Sequence, residues 1–255
     1  RNPQTGKPYS KTYLRSIHSQ MSAIMNFATK YYELNENPVI KAGRIGISNA
    51  EEMQFWTLDE YLLFAEAIME EPLYYYCFEV LYWTGIREGE LLALTFDDFD
   101  CVNKTISITK TYQVVKGEEA IGPPKTSKSN RMVSMPDKLC EEMKEHFKMC
   151  RHLENDRVFP TYKSTLSKAM SRGVKKAGVK KIRVHDLRHS HVSLLINLGF
   201  NPVDIAKCVG HESVTITLRY AHMFPSMQSQ MMSKLNELMN KKQKTLLWRI
   251  IIAAI

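Results

Sequence analysis

Apolar residues recur at helical spacing along most of this chain, and at strand spacing over one short stretch near its middle. Leu14, Ile17, Met21, Ile24, Ala28 and Tyr31 lie three or four residues apart behind Ser10, which predicts a long helix with Ser10 as its N-cap. Its opposite stripe is polar and basic: Lys11, Arg15, His18, Ser22, Asn26 and Thr29. From Pro38 to Met53 the period is lost, and breakers with two basic residues, Lys41 and Arg44, mark a joint between domains, the linker itself over 44–53. Thr57 and Glu60 form a capping box that opens the next helix. Pro72 opens and Gly85 stops another, with Leu73, Cys77, Val80 and Leu81 as its inner face. Thr105 to Tyr112 alternates and reads as a strand, Gly117 as a turn, and Lys125 to Pro136 as a second, basic strand. Further helices are predicted from Pro136 to about Cys150 and from a cap at Ser164. Another runs from Asp186 to Gly199 with Leu187, Leu194, Leu195 and Leu198 inward. The next, from Asn201 to Gly210, places Val203, Ile205, Ala206 and Val209 inward, and a short one follows from Ser213 through Tyr220. Pro225 opens a last amphipathic helix whose methionines suit this chain's own groove or a neighbour's. The expected fold class is mainly α with a small antiparallel β-sheet.

Composition narrows the picture. A chain of 255 residues, 44% apolar, holds one or two domains with real cores. A net charge of +8 suits a polyanion, nucleic acid before membrane. Five scattered cysteines without a C-x-x-C pair fit free thiols in a reducing cytoplasm, and no signal peptide is visible. The apolar run from Leu246 to Ile255 is ten residues long and carries Arg249, too short to span a bilayer. The chain starts on Arg and reads as part of a longer protein.

The chemistry concentrates between Ile182 and His222. VHDLRH places His185 and Arg188 three apart, on one helical face. Gly210 stops a helix and delivers His211 at once, and Tyr220 follows nine residues later. Arginine and histidine groups can stabilise charge on a five-coordinate phosphorus, and a tyrosine oxygen can attack it. Basic residues lead into this stretch: Lys168, Arg172, Lys175 and Lys176 at helical spacing, then Lys180, Lys181 and Arg183, a phosphate-gripping surface in the making. His185, His189 and His191 lack the partners of a metal site, His211-Glu212 has Thr215 where a second His would be needed, and no phosphate-binding glycine loop occurs, so neither metal nor cofactor is expected.

H-x-x-R, then G-H, then Tyr nine residues on, with TGIREGEL upstream at Thr84 to Leu91, resembles the tyrosine recombinases of the phage-integrase family, in the style of integrases of conjugative transposons and prophages. The likeness covers roughly Ser10 to Asn240. It implies a helical core-binding domain, represented by 1–43, a catalytic domain over 54–240, and a tail over 241–255 that either docks in trans or is disordered. It implies Arg87 as first catalytic arginine with Glu90 supporting it, and Arg188 as the second. His211 becomes a donor to the scissile phosphate, His185 the candidate base and Tyr220 the nucleophile. The general acid maps to Lys125 in the K-T-x-x-S-x-R segment, with Lys128 as competitor. Double-stranded DNA is the implied partner, gripped by Lys11, Arg15, Lys41, Arg44, Lys128, Arg131, Lys168, Arg172, Lys175, Lys176 and Arg183. A tetramer on DNA, an excisionase or DNA-bending accessory protein and a place on the bacterial nucleoid complete the expectation. Two other functions are weighed against it: a type IB topoisomerase, with a similar residue set, and a catalytically inactive DNA-binding regulator.

Overall fold

The computed structural model describes residues 2, 3, 5–46, 53–123, 130–150, 157–211, 213–220, 232, 235–237 and 239. The chain divides into two compact units, Arg1–Met53 and Gln54–Ile255.

In the first unit, helix α1 (Lys11–Tyr31) begins where the Ser10 side chain accepts the Tyr13 N–H. A short helix α2 (Pro38–Lys41) stands where the sequence suggested irregular chain. Asn37 is the reason. Its Oδ1 caps Val39 N, while its Nδ2 donates to Ser22 O at 3.0 Å and Asn26 Oδ1 at 2.7 Å, which ties α2 onto α1. No residue of α1 is buried, and Ile24 is 64% exposed, so its apolar stripe lies open within this unit. Lys11 and Arg44 are exposed, Arg15 is half-buried and Lys41 pairs with Glu36.

The second unit starts with α3 (Leu58–Ile68), opened by the reciprocal Thr57–Glu60 capping box, and α4 (Pro72–Thr84), stopped by left-handed Gly85. After α5 (Glu88–Leu91) come β1 (Phe99–Asp100), β2 (Thr105–Ile108), β3 (Thr111–Val115), β4 (Glu118–Gly122) and β5 (Arg131–Ser134). The predicted single strand over 105–112 is two strands in two sheets. β2 lies between β1 and β5, with Ile106 opposite Val133, whereas β3 and β4 form a separate antiparallel hairpin. Its turn, Lys116-Gly117, has φ of 54° and 89°, the geometry a tight hairpin needs. Helices α6 (Asp137–Cys150), α7 (Lys163–Ala177), α8 (Asp186–Asn197), α9 (Pro202–Val209) and α10 (Val214–Leu218) follow. α7 begins before the expected Ser164, with Tyr162 at its N-cap and no side-chain cap.

One continuous core joins Trp56, Phe64, Phe78, Ile106, Phe159 and Leu187, all nearly inaccessible. Trp56 fixes the edge of α8: its N–H donates to Ser190 Oγ at 2.8 Å. α4 packs between α6 and α8, so the α4–α5 turn and the start of α8 meet. The inward leucine stripe predicted for α8 fails at its end, because Leu198 is 65% exposed while Arg188, Ser190, His191 and Ser193 are buried. Val203 on α9 is likewise exposed. Among the described residues no helix is long and apolar enough to cross a membrane.

Candidate active site

Two glycines bring the arginines together. Gly85 ends α4 at φ +63°, where a Cβ would stand 2.6 Å from His191 Cδ2. Its carbonyl accepts Arg188 Nη1 at 2.7 Å, across 103 residues of sequence. Gly210 ends α9 at φ +69°, and its carbonyl accepts Arg87 Nη2 at 3.0 Å. Helix stops thus supply the carbonyl anchors for both guanidinium groups.

Glu90 ties the cluster from below. Arg87, the N-cap of α5, gives it a backbone N–H at 2.8 Å and a guanidinium bond at 2.8 Å. Arg131 on β5 adds two more, at 3.0 and 2.9 Å. Burial alone would raise the Glu90 carboxyl, but Arg131 and then Arg87 outweigh it and hold the group below its ordinary range. Arg131 was expected on the DNA surface. Its side chain is 9% exposed and paired with Glu90.

Arg188 is 4% exposed, and its Nη2 has no hydrogen-bond partner among the described residues. Burial and then Arg87 push its guanidinium down to about 9, which still leaves it charged at neutral pH. Three arginines therefore surround one carboxylate. A buried donor without an acceptor costs on the order of 1–3 kcal/mol, and more when charged, which an incoming anion relieves.

Tyr220 lies within electrostatic reach of Arg188. It was expected inside a helix, but α10 ends at Leu218 and Tyr220 lies in the turn after it. The residue is 1% exposed, and its hydroxyl bonds His189 Nδ1. Burial drives the phenol up to about 12, although Arg188 pulls the other way. His189 passed in the sequence as a failed metal ligand, and the helical spacing of His185 and Arg188 gave no hint of it. Burial first, then His185, lowers its ring to about 4. His211 bonds Thr217 Oγ1 through Nδ1 at 2.8 Å, and burial, Arg188 and Arg87 lower it to about 3. Both rings are neutral at pH 7 in the protein alone. His185, the N-cap residue of α8, is exposed at the rim, its ring 5.2 Å from that of His189.

Arg87, Arg188, His211 and Tyr220 are thus brought into one electrostatic cluster with Glu90. Lys125 and Lys128 lie outside the described residues. Lys168 and Lys175 are exposed on α7, but Arg172 pairs with Glu71 and Lys176 with Glu70, so half of that basic row is already matched. Arg183 stays exposed at the site's edge and pairs with buried Asp186.

A cluster of arginines beside a buried tyrosine, on a helical scaffold with a small antiparallel sheet, fits the tyrosine-recombinase expectation. The fold agrees with that of the Tn1549 transposon integrase, solved with transposon right-end DNA (TM-score 0.73, 19% identity, 92% of this chain and 81% of that one). It also agrees with XerA recombinase (TM-score 0.58, 23% identity, 89% and 76%). Residues 55–227 match the model of the phage integrase family, and the chain belongs to that family. The ICEBs1 integrase of Bacillus subtilis (strain 168) is 31% identical over 246 residues, 90% of this chain and 67% of the relative. The integrase of Staphylococcus phage L54a is 31% identical over 179 residues, 63% of this chain and 51% of its own length.

Proposed function

We propose that the chain is the catalytic part of a site-specific DNA recombinase that integrates and excises a mobile element. The observation that carries this reading is the buried Tyr220 hydroxyl beside a cluster in which Arg87 and Arg131 pair with Glu90 and Arg188 Nη2 has no hydrogen-bond partner among the described residues. In this proposal Arg87, Arg188 and His211 hold the non-bridging oxygens of a DNA phosphate. Tyr220 Oη attacks phosphorus, and the 5′ oxygen leaves with a proton from Lys125 or Lys128. The 3′-phosphotyrosine conserves the bond energy, so a second strand's 5′ hydroxyl can reverse the step without ATP. The guanidinium groups neutralise the charge that a metal neutralises elsewhere. Two rounds of exchange pass through a Holliday junction and need four protomers on two duplexes. The first unit serves as part of a second DNA-holding domain, with Lys11, Arg15, Lys41 and Arg44 toward the backbone. An accessory protein sets direction, and the site of action is cytoplasmic, on nucleoid DNA.

Covalent capture tests this reading. The chain is incubated in EDTA with a pool of nicked duplexes randomised around the nick, and adducts are resolved on denaturing gels and sequenced. An adduct that disappears in Tyr220→Phe, with one recurring sequence among the captured duplexes, is the expected result. An adduct that survives in Tyr220→Phe, or none from any duplex, overturns it.

A further inference from the structure

We propose that His189 is a catalytic residue of this site: its Nδ1 accepts the proton of Tyr220 as the tyrosine attacks, with Asp186 supporting the imidazolium that forms. The inference rests on the phosphotyrosine reading above and adds to it the identity of the proton acceptor. His185 is the residue that the motif suggested, yet it stands exposed at the N-cap of α8, while His189, one turn on, is the ring whose nitrogen meets the phenol oxygen.

The geometry is that of a relay. Tyr220 Oη bonds His189 Nδ1, and His189 Nε2 lies 3.8 Å from Asp186 Oδ1. Asp186 is 2% exposed and is fixed by the Arg183 N–H at 2.8 Å and the Arg183 guanidinium at 2.8 Å. At that distance the carboxylate makes no hydrogen bond to the ring, but its charge favours a proton on Nε2, which leaves Nδ1 as acceptor. The neutral ring of the free protein is the correct starting form for a base. A phosphodiester seated against Arg87 and Arg188 brings negative charge beside the histidine. That charge cancels part of the cationic field and raises the ring's affinity for a proton when the tyrosine must lose one.

The step balances. The Tyr220 Oη–H bond breaks and its proton passes to His189 Nδ1. The Oη–P bond forms as the P–O5′ bond breaks, and the 5′ oxygen takes a proton from the general acid. In rejoining, a 5′ hydroxyl attacks phosphorus and gives its proton back to the deprotonated general acid, while the Oη–P bond breaks and Tyr220 recovers its proton from His189.

The test uses the duplex selected by wild-type capture and single-turnover adduct formation. His189→Ala is expected to slow the adduct by about 10²–10⁴-fold with DNA affinity within threefold of wild type. Imidazole in the buffer restores part of the rate. His189→Asn, whose Oδ1 takes the place of Nδ1 as acceptor but holds a proton poorly, keeps the hydrogen bond and stays at least tenfold slow. A merely structural ring would give the opposite pattern: rescue by Asn and none by imidazole. That pattern, or His189→Ala within threefold of wild type, overturns the proposal while Tyr220→Phe still abolishes the adduct. Failure of the wild type itself to form an adduct removes the phosphotyrosine reading first, and this one with it.

Discussion

Gly210 and Arg131 stand so close that no side chain fits between them: a Cβ on Gly210 would lie 2.9 Å from Cδ and Nε of Arg131. The same glycine holds Arg87 by its carbonyl. Gly210→Ala must therefore move Arg131, and it also meets the left-handed φ of +69° at a cost of about 1–2 kcal/mol. We expect a loss of stability of that order in urea titrations. Adduct formation should fall by at least tenfold, because the Arg87 anchor shifts with the turn. Wild-type rates in Gly210→Ala would mean that the Arg87 contact is dispensable.

Glu90 is the counter-charge on which Arg87 and Arg131 depend. Glu90→Gln removes the carboxylate that Arg87 and Arg131 share, with Arg188 nearby. Breaking a buried pair in this way costs about 3–5 kcal/mol. Because the folded carboxyl is held below its ordinary value, the Glu90 contribution is present at neutral pH and disappears as pH falls through the folded value. Denaturation of Glu90→Gln should be less steep in acid than that of wild type. Equal acid slopes in the two proteins would exclude the role.

Buried neutral histidines set a second pH dependence. His191 is 5% exposed and lowered to about 4 by burial, and His189 and His211 are lowered to about 4 and about 3. With folded values below 6.5, the unfolded chain binds more protons between about 4 and 6.5. Stability is full above that window and falls as pH drops through it. For His191 alone the loss by pH 5 is about 2 kcal/mol. The urea midpoint should fall between pH 7 and pH 5, and the fall should be smaller in His191→Gln. A midpoint that does not move with pH would contradict the burial of these rings.

Salt dependence separates the bracing arginine from the DNA surface. Lys168→Ala and Lys175→Ala should each reduce the slope of log affinity against log salt by about 0.9, while Arg131→Ala leaves it unchanged. The measurement is DNA binding by fluorescence anisotropy from low to moderate salt. A slope change at Arg131 equal to that at the lysines would return it to the DNA surface.

Much of the site was legible because its parts are local. The stops at Gly85 and Gly210 and the capping at Ser10, Thr57, Asn201 and Ser213 are written in neighbouring residues. His189 was not legible, since its partner lies 31 residues away and meets it only after α9 and α10 pack back toward α8. Arg131 looked like surface because it is basic, and only the position of Glu90 across the site makes it internal. α8 misled for a related reason. Its inner face carries Arg188, Ser190 and His191 as well as Leu187, so Leu198 at its end lies exposed instead of inward.

Gly85 anchors Arg188 with its carbonyl and admits His191 through its missing side chain, so one residue serves both chemistry and folding. Genetic decay of such a protein is constrained. When an element stops moving, selection on recombination ends, but a copy altered at Gly85 or Glu90 is expected to lose stability along with its activity and to be cleared more readily by proteolysis. Tyr220 is different, because phenylalanine keeps the buried ring and removes only the oxygen. Inert relics that persist as folded DNA-binding proteins should therefore carry their lesion at the tyrosine and retain the glycine.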